Sequence, residues 1–235
     1  MRPNLVPKPR TGPAPIRDAA TIIVLRHADT NPMVLMGQRG AKAAFMPGKF
    51  VFPGGAVDAD DARVPLTALS SIDEERLKSE SRMSPVSLAA AAIRELWEET
   101  GQMLGTVGAW PHPPENWRRF ADTGHWPNGR ALQFFFRAVT PEGRPRRFDA
   151  RFFLASADDL VTDPDDFFGA EDELAHLQWV PLAAARQFNL PFITQVVLAE
   201  LIVHLKQDGP PAAVPFFRND DEAHLVSRLE GKSPL

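Results

Sequence analysis

The run Arg94-Glu95-Leu96-Trp97-Glu98-Glu99-Thr100-Gly101 constrains this chain more than any other stretch. It follows Ser84-Pro85, a cap residue and a first-turn proline that together start a helix. It ends on Gly101, the residue suited to a left-handed C-terminal cap. Ala89, Ala92, Ile93, Leu96 and Trp97 form an apolar stripe along one side. The other side carries Glu95, Glu98 and Glu99, spaced three and four apart, so their like charges repel by about 0.2–0.5 kcal/mol per pair. Glu98 and Glu99 also fall in the last turn, at the negative end of the helix dipole. A helix built this way calls for positive charge beside it. Arg94 supplies one charge, and a hard divalent cation that takes oxygen ligands is the most economical source of the rest.

Composition limits what surrounds that helix. A chain of 235 residues, 44% hydrophobic and 24% charged, fits one globular domain with embellishments and a real core. Its net charge of -4 and the absence of a long Lys/Arg run argue against a nucleic-acid partner. With no cysteine there is no disulfide framework, thiolate metal site or cysteine nucleophile, and a reducing, cytoplasmic setting is compatible. The first 18 residues carry prolines at 3, 7, 9, 13 and 15 and no apolar signal-peptide core, so they read as an extended arm. The longest apolar stretches are broken by charges before they reach a membrane-spanning length, and the reading is a soluble protein with no membrane partner.

Along the chain, Thr21 to Leu25 and Met33 to Met36 are short strands joined by the turn formers Asp29-Thr30-Asn31-Pro32. Phe50-Val51-Phe52 leads as a strand into Pro53-Gly54-Gly55, where glycines permit a close backbone approach to a ligand. Residues 58 to 83 are polar, include a short helix around Ser71 to Lys78 and show no clear buried face, so they read as an insertion. Trp110 to Arg130 reads as a surface loop with a short helix near Glu115 to Ala121. Ala131 to Val139 and Arg151 to Ala155 form a second hairpin, and Leu174 to Val180 is a further strand. Pro181 to Arg186 starts a short helix, and Pro191 to Lys206 is a regular helix whose apolar face packs on the core or leaves a homodimer open. The tail beyond Gly209 is proline-rich, with Phe216-Phe217 able to dock back.

Phe52-Pro53-Gly54-Gly55 followed by Arg94 to Gly101 resembles the two halves of the Nudix box. In that pattern a glycine, a glutamate and then Arg-Glu-(apolar)-x-Glu-Glu-x-Gly-(apolar) are carried on a loop-helix-loop. The second half matches at Arg94, Glu95, Leu96, Glu98, Glu99 and Gly101, a spaced set far more specific than a lone glycine motif. The first glutamate of the pattern falls on Asp61, about 25 extra residues separate it from the helix, and the final apolar position is Gln102. The interruption resembles the branch that includes the peroxisomal coenzyme A diphosphatases. So do the stretches from Met46 to Asp58 and from Arg146 to Phe153.

The resemblance covers about Thr21 to Leu205. It implies an α/β fold with a mixed sheet sandwiched between helices; with the proline-rich ends, the chain divides into an arm (1–18), a single domain (19–207, inserted at about 59–83) and a tail (208–235). The resemblance also implies Mg²⁺ (or Mn²⁺) dependent cleavage of a small-molecule diphosphate. Coenzyme A or its thioesters lead as substrates, with ADP-ribose and dinucleotides open. Glu98 and Glu99 would be the main metal ligands, Glu95 a ligand or base, and Arg94 the group that orients the acids, while a Gly54 or Gly55 carbonyl completes the shell. Glu173 is the chosen downstream acid, with Glu171 second. Arg39, Lys49, Arg147 and Arg151 are candidates for steadying phosphates. Phe134, Phe136, Phe152 and Phe153 could stack an adenine, although aromatics at strand spacing are more often core.

Two rival readings remain. A Nudix fold can serve as a binding module without catalysis, against which stands the retention of all three glutamates. Thr21 to Thr30 also resembles a histidine phosphatase signature, with Arg26-His27 supplying the nucleophile. There Ala28 stands where that family has glycine, and no second Arg/His pair follows.

Overall fold

Ala19-Ala20-Thr21-Ile22-Ile23-Val24-Leu25 sends apolar side chains to both faces, which a strand can satisfy only in the middle of a covered sheet. That is where β1 (Ile16–Arg26) lies. The computed structural model describes residues 14–43, 45–207, 209 and 211–218, and the backbone of 226–228. After β1 come β2 (Met33–Arg39), β3 (Phe50–Val51), β4 (Gly54–Ala56), α1 (Ser71–Lys78), α2 (Pro85–Thr100), β5 (Gly105–Val107) and α3 (Arg118–Ala121). They are followed by β6 (His125–Pro127), β7 (Gln133–Val139), β8 (Arg147–Ser156), β9 (Leu174–Pro181), α4 (Phe192–His204), β10 (Pro215–Phe217) and β11 (Val226–Arg228).

Nine strands form one mixed sheet in the order β11-β10-β7-β8-β1-β2-β3, with β4 added beside β1 and β9 beside β2. β1 runs parallel to β8 from Ile16 opposite Arg147 to Leu25 opposite Ser156. Its other edge is shared by two antiparallel partners, β4 beside Ala19 to Thr21 and β2 beside Leu25 and Arg26. On one face Ala20, Ile22, Val24, Phe134 and Phe153 pack against α2. On the other, Ile23, Leu25, Val34, Phe136 and Phe152 pack against Val197, Leu198 and Leu201 of α4. The fold is the α/β/α sandwich that the resemblance implies. Phe134, Phe136, Phe152 and Phe153 are at most 6% exposed, so they are core and offer no platform for an adenine. Among the described residues no helix is long and apolar enough to cross a membrane.

Several boundaries move from their expected places. Residues 1–13 of the expected arm lie outside the described residues, and from Ile16 onward the rest of it is already strand. β8 likewise begins at Arg147, four residues before the expected Arg151. Both extensions mix charged and apolar residues, and they are strand because they pair with each other, a contact between residues 131 apart (Ile16 and Arg147) that local propensity does not encode. Pro215 to Phe217 docks back as β10, parallel to β7, with Phe216 and Phe217 both buried. Phe192 and Val203 of α4 stay exposed.

The insertion does have a buried face, contrary to the expectation. Val64, Leu69 and Leu77 enter the core on the α2 side, and Asp61 is fully enclosed. Ser70 caps α1 by accepting the Asp73 N–H at 3.1 Å, and Arg76 ties α1 to the carbonyls of Pro211 and Ala212 at 2.7 and 3.1 Å. Its apolar residues are spread over short elements, which hides them from any single periodicity. Leu77 is 1% exposed, so Leu77→Ala is expected to cost about 2–5 kcal/mol in urea unfolding. A peripheral insertion would lose under about 0.5 kcal/mol.

Candidate active site

Sequence places α2 and its neighbours place its acids. Ser84 Oγ accepts the Ser87 N–H at 3.0 Å, and Gly101 closes the helix with φ +72° and its N–H on the Trp97 carbonyl at 2.9 Å. The consecutive alanines 89 to 92 are fully buried and let the helix sit close to β1, which puts Glu95 and Glu99 directly over β4. Gly54 N–H donates to Glu99 Oε2 at 2.8 Å. A Cβ at position 55 would stand 2.4 Å from Glu95 Oε1, so a larger residue there would displace the Glu95 carboxylate.

Arg94 binds the whole group together from within. Its Nη1 donates to Glu95 Oε1 and Glu98 Oε2, both at 2.8 Å. Its Nε and Nη2 reach Asp61 at 3.1 and 3.2 Å, and Nη2 also reaches the Ala56 carbonyl at 3.0 Å. Burial alone would lower the Arg94 pKa, but the hydrogen bonds to Asp61 and the charges of Glu95, Asp61 and Glu98 outweigh it and raise it. Asp61, the shorter acid at the box's first position, is held in turn by the Asp58 N–H at 2.8 Å and Trp117 Nε1 at 3.1 Å. It buttresses Arg94 and faces no solvent.

The glutamates are under-compensated. Burial pushes Glu95 up to about 7 against the pull of Arg94. Burial also raises Glu98, with Glu171 and Asp61 adding to it. Glu99 is raised well above its ordinary value, by burial and then by the charges of Glu95 and Glu173, and the Gly54 N–H and Arg39 only partly oppose this. Glu99 Oε1 is buried with no hydrogen-bond partner, an arrangement that normally costs about 1–3 kcal/mol or more and asks for a counter-ion. Among the described residues no three acids or histidines are already gathered as a cation cage. The donor set is nevertheless all oxygen, which fits a hard divalent ion that keeps some of its waters. Gly54 meets Glu99 through its N–H.

The second acidic wall comes from the segment before β9. Glu171 N–H donates to the Glu98 carbonyl at 2.8 Å, and the Glu171 carboxylate pairs with Arg119 at 2.6 Å. Glu173 pairs with Arg39 at 2.8 Å. Glu173 and its partner Arg39 both act on Glu99, whereas the Glu171 carboxylate turns to Arg119 and touches α2 only through its backbone. Gln102, polar where the pattern has an apolar residue, is fully buried and donates to the carbonyls of Asp163 and Asp166 at 3.1 and 2.7 Å. It pins the segment that carries those acids.

Of the four phosphate candidates, only Arg39 meets the acids. Lys49 Nζ donates to Asn189 Oδ1 at 2.6 Å and the Leu190 carbonyl at 3.3 Å. Arg151 is 1% exposed and committed to Asp18, the Asp149 carbonyl and Ser81, while Arg147 is buried with its Nε on the Thr140 carbonyl at 3.1 Å. Both brace the N-terminal half of β8, because a buried guanidinium in a sheet must spend its donors locally. Arg26 pairs with Asp165 at 2.6 Å and lies over Trp179, while His27 sits in an exposed turn at φ +55°. The Arg-His pair is thus not assembled as a phosphatase nucleophile. Clefts of about 500 Å³ beside His27 and about 550 Å³ beside Arg147 contain none of the glutamates of α2. Trp117 and Gln102 are the site residues that sequence reasoning missed. Trp117 falls in the short helix expected near Glu115 to Ala121 of a surface segment, yet it is fully buried.

Comparison with known proteins agrees with this geometry. Residues 84–201 match the family model described as the NUDIX domain. A Caenorhabditis elegans protein named as a putative nudix hydrolase 7 is 33% identical, the match covering 70% of this chain and 51% of that protein. A Gallus gallus protein named as an acyl-coenzyme A diphosphatase is 27% identical, over 62% of this chain and 53% of that protein. The chain thus spans about half the length of the curated relatives it matches. The crystal structure of a Nudix hydrolase from Alicyclobacillus acidocaldarius is similar with a TM-score of 0.62 at 26% identity, covering 84% of this chain and 99% of that one.

The raised glutamates set a pH dependence. In the metal-free folded chain Glu95 keeps its proton to about 7, whereas the unfolded chain releases it near 4.5. Between those values the folded state binds more protons, so its stability falls as pH rises, and Glu99 acts with the same sign. In chelator, the Tm is therefore expected to drop between about pH 5 and about pH 7.5, and the drop should shrink in Glu95→Gln. An identical slope in wild type and variant contradicts the assignment.

Proposed function

Because the chain belongs to the Nudix family, we propose that it hydrolyses the diphosphate bond of a nucleoside diphosphate joined to another group, using Mg²⁺ or Mn²⁺. One observation carries this reading above the others. A single buried arginine holds Glu95 and Glu98 in place while Glu99 offers a buried, partnerless oxygen beside Gly54 and Gly55. The partnerless oxygen of Glu99 is the part of this wall that its protein neighbours leave unmet, and a cation would meet it.

In this reading Glu98 and Glu99 hold the ion, with Glu95 as a further ligand or as the base toward water. When bound, a divalent cation neutralises phosphate charge and lowers the pKa of a coordinated water. The chain's own residues do the rest. Arg94 and Asp61 fix the rotamers of the acids, so that no reorganisation is needed at the moment of reaction. Gln102 and the Glu171 N–H hold the opposite wall at a set distance from Glu98. Arg39 is the cation of this chain placed to meet a phosphate oxygen.

Coenzyme A or an acyl thioester is the favoured substrate. Support comes from the interrupted box and from the name of the Gallus gallus relative. ADP-ribose and dinucleotides remain the second choice. The test is a panel of these diphosphates assayed with Mg²⁺ and with Mn²⁺, the products identified by mass. Glu98→Gln combined with Glu99→Gln is expected to lower turnover by on the order of 10²-fold or more while leaving the unfolding curve cooperative. Unchanged turnover in that variant sinks the mechanism, and tight binding of a diphosphate without turnover in the wild type marks a binding module.

A further inference from the structure

Opposite the glutamates of α2 stands a charge pair whose two members have separate tasks in the reading above. Antiparallel pairing sets Arg39 of β2 across from Leu174 of β9, which brings its side chain to the preceding residue, Glu173. Arg39 Nη2 donates to Glu173 Oε1 at 2.8 Å. The arginine is anchored by its backbone, with its N–H on the Lys49 carbonyl at 2.9 Å and its own carbonyl on the Gly48 N–H at 3.0 Å. Its side chain is 17% exposed and that of Glu173 is 55% exposed, so the acid is the partner free to move. Arg39 Nε is buried with no partner, which leaves the guanidinium a donor still to place.

Both members act on the acidic wall. After burial, which dominates, the charge of Glu173 helps to raise Glu95 and Glu99, while Arg39 lowers Glu99. Bringing Glu173 toward a cation held by those glutamates relieves the repulsion among the acids and strips Arg39 of its counter-charge. A guanidinium with donors turned loose beside that cation is suited to a diphosphate oxygen.

Resting on the functional reading above, we propose that the Arg39–Glu173 pair is a latch in which each group occupies the other until ligands arrive. Glu173 turning to a divalent cation releases Arg39 to the diphosphate, and Arg39 turning to a diphosphate releases Glu173 to the cation. Cation and anion binding are coupled through the exchange of one ion pair. A pair this exposed is weak in water and changes partners readily, so the coupling amounts to about three- to fivefold in each affinity.

Isothermal titration of the full chain tests this with Mn²⁺ alone and, separately, with methylenebisphosphonate in chelator. Arg39→Ala is expected to tighten Mn²⁺ binding about three- to fivefold, and to have no effect in a Glu173→Gln background. Glu173→Gln should tighten metal-free methylenebisphosphonate binding by a similar factor. Glu171→Gln, which removes the same charge from an acid paired with Arg119, should leave that affinity unchanged. If Arg39→Ala tightens Mn²⁺ equally in both backgrounds, or if Glu171→Gln matches Glu173→Gln, the effect is a general field and the latch is overturned. If Arg39→Ala does not fold, the comparison of Glu173 with Glu171 decides alone. Mn²⁺ affinity that is the same with and without Glu98 and Glu99 would sink the functional reading itself and take the latch with it.

Discussion

Arg94 lies under three carboxylates and is almost sealed from water, with 8% of its side chain exposed. A buried guanidinium is tolerable only if its donors are met, and five hydrogen bonds meet them here, from Asp61, Glu95, Glu98 and the Ala56 carbonyl. Those partners come from the end of β4, the start of the insertion and the helix itself. Removing one side of such a network leaves an uncompensated buried charge, a loss of about 3–5 kcal/mol in comparable cases. The arginine therefore joins three separate stretches of chain, and the geometry of the acids follows from it. Glu99, the one acid that Arg94 does not reach, is left with a partnerless oxygen.

The remainder of the fold supplies the surfaces that this network needs. β1 divides its edge between β4 and β2, which lets the two-glycine strand come up under α2 without displacing the hairpin. The insertion interrupts the motif in sequence but not in space, because Asp61 stays at the arginine while Val64, Leu69 and Leu77 fold into the core beside α2. Trp117 completes the arrangement by giving Asp61 its indole N–H. On the far side, Gln102 draws in the segment leading to β9, and that segment brings Glu171 and Glu173 to face the helix.

Two residues show how a local departure can be read from its surroundings. Asp61 and Gln102 stand out in the sequence as imperfect matches to the box, one too short and one polar. In the folded chain each is fully buried and fully engaged, the first by Arg94, Trp117 and the Asp58 N–H, the second by two carbonyls and Thr162. Sequence flags such positions as exceptions. Their use becomes apparent only with the distant partners in place, Arg94 and Trp117 at 33 and 56 residues from Asp61 and the partners of Gln102 at 60 to 64.

The sequence by itself determined α2, its caps and the spacing of its acids. Those features depend on residues within one or two turns of each other, and a 3.6-residue period is written locally. It also determined the central strands and the return of Phe216 and Phe217, since apolar runs must be buried somewhere. It could not rank Arg39, Lys49, Arg147 and Arg151, four cations on strands or strand ends with equal claims. Tertiary structure decided among them through register. The pairing of β2 with β9 turns Arg39 to Glu173, whereas β8, pairing with β1 and β7, commits Arg147 and Arg151 to the sheet. Register is set by contacts between residues far apart in the chain, so the choice of the cation that faces the acids belongs to the fold.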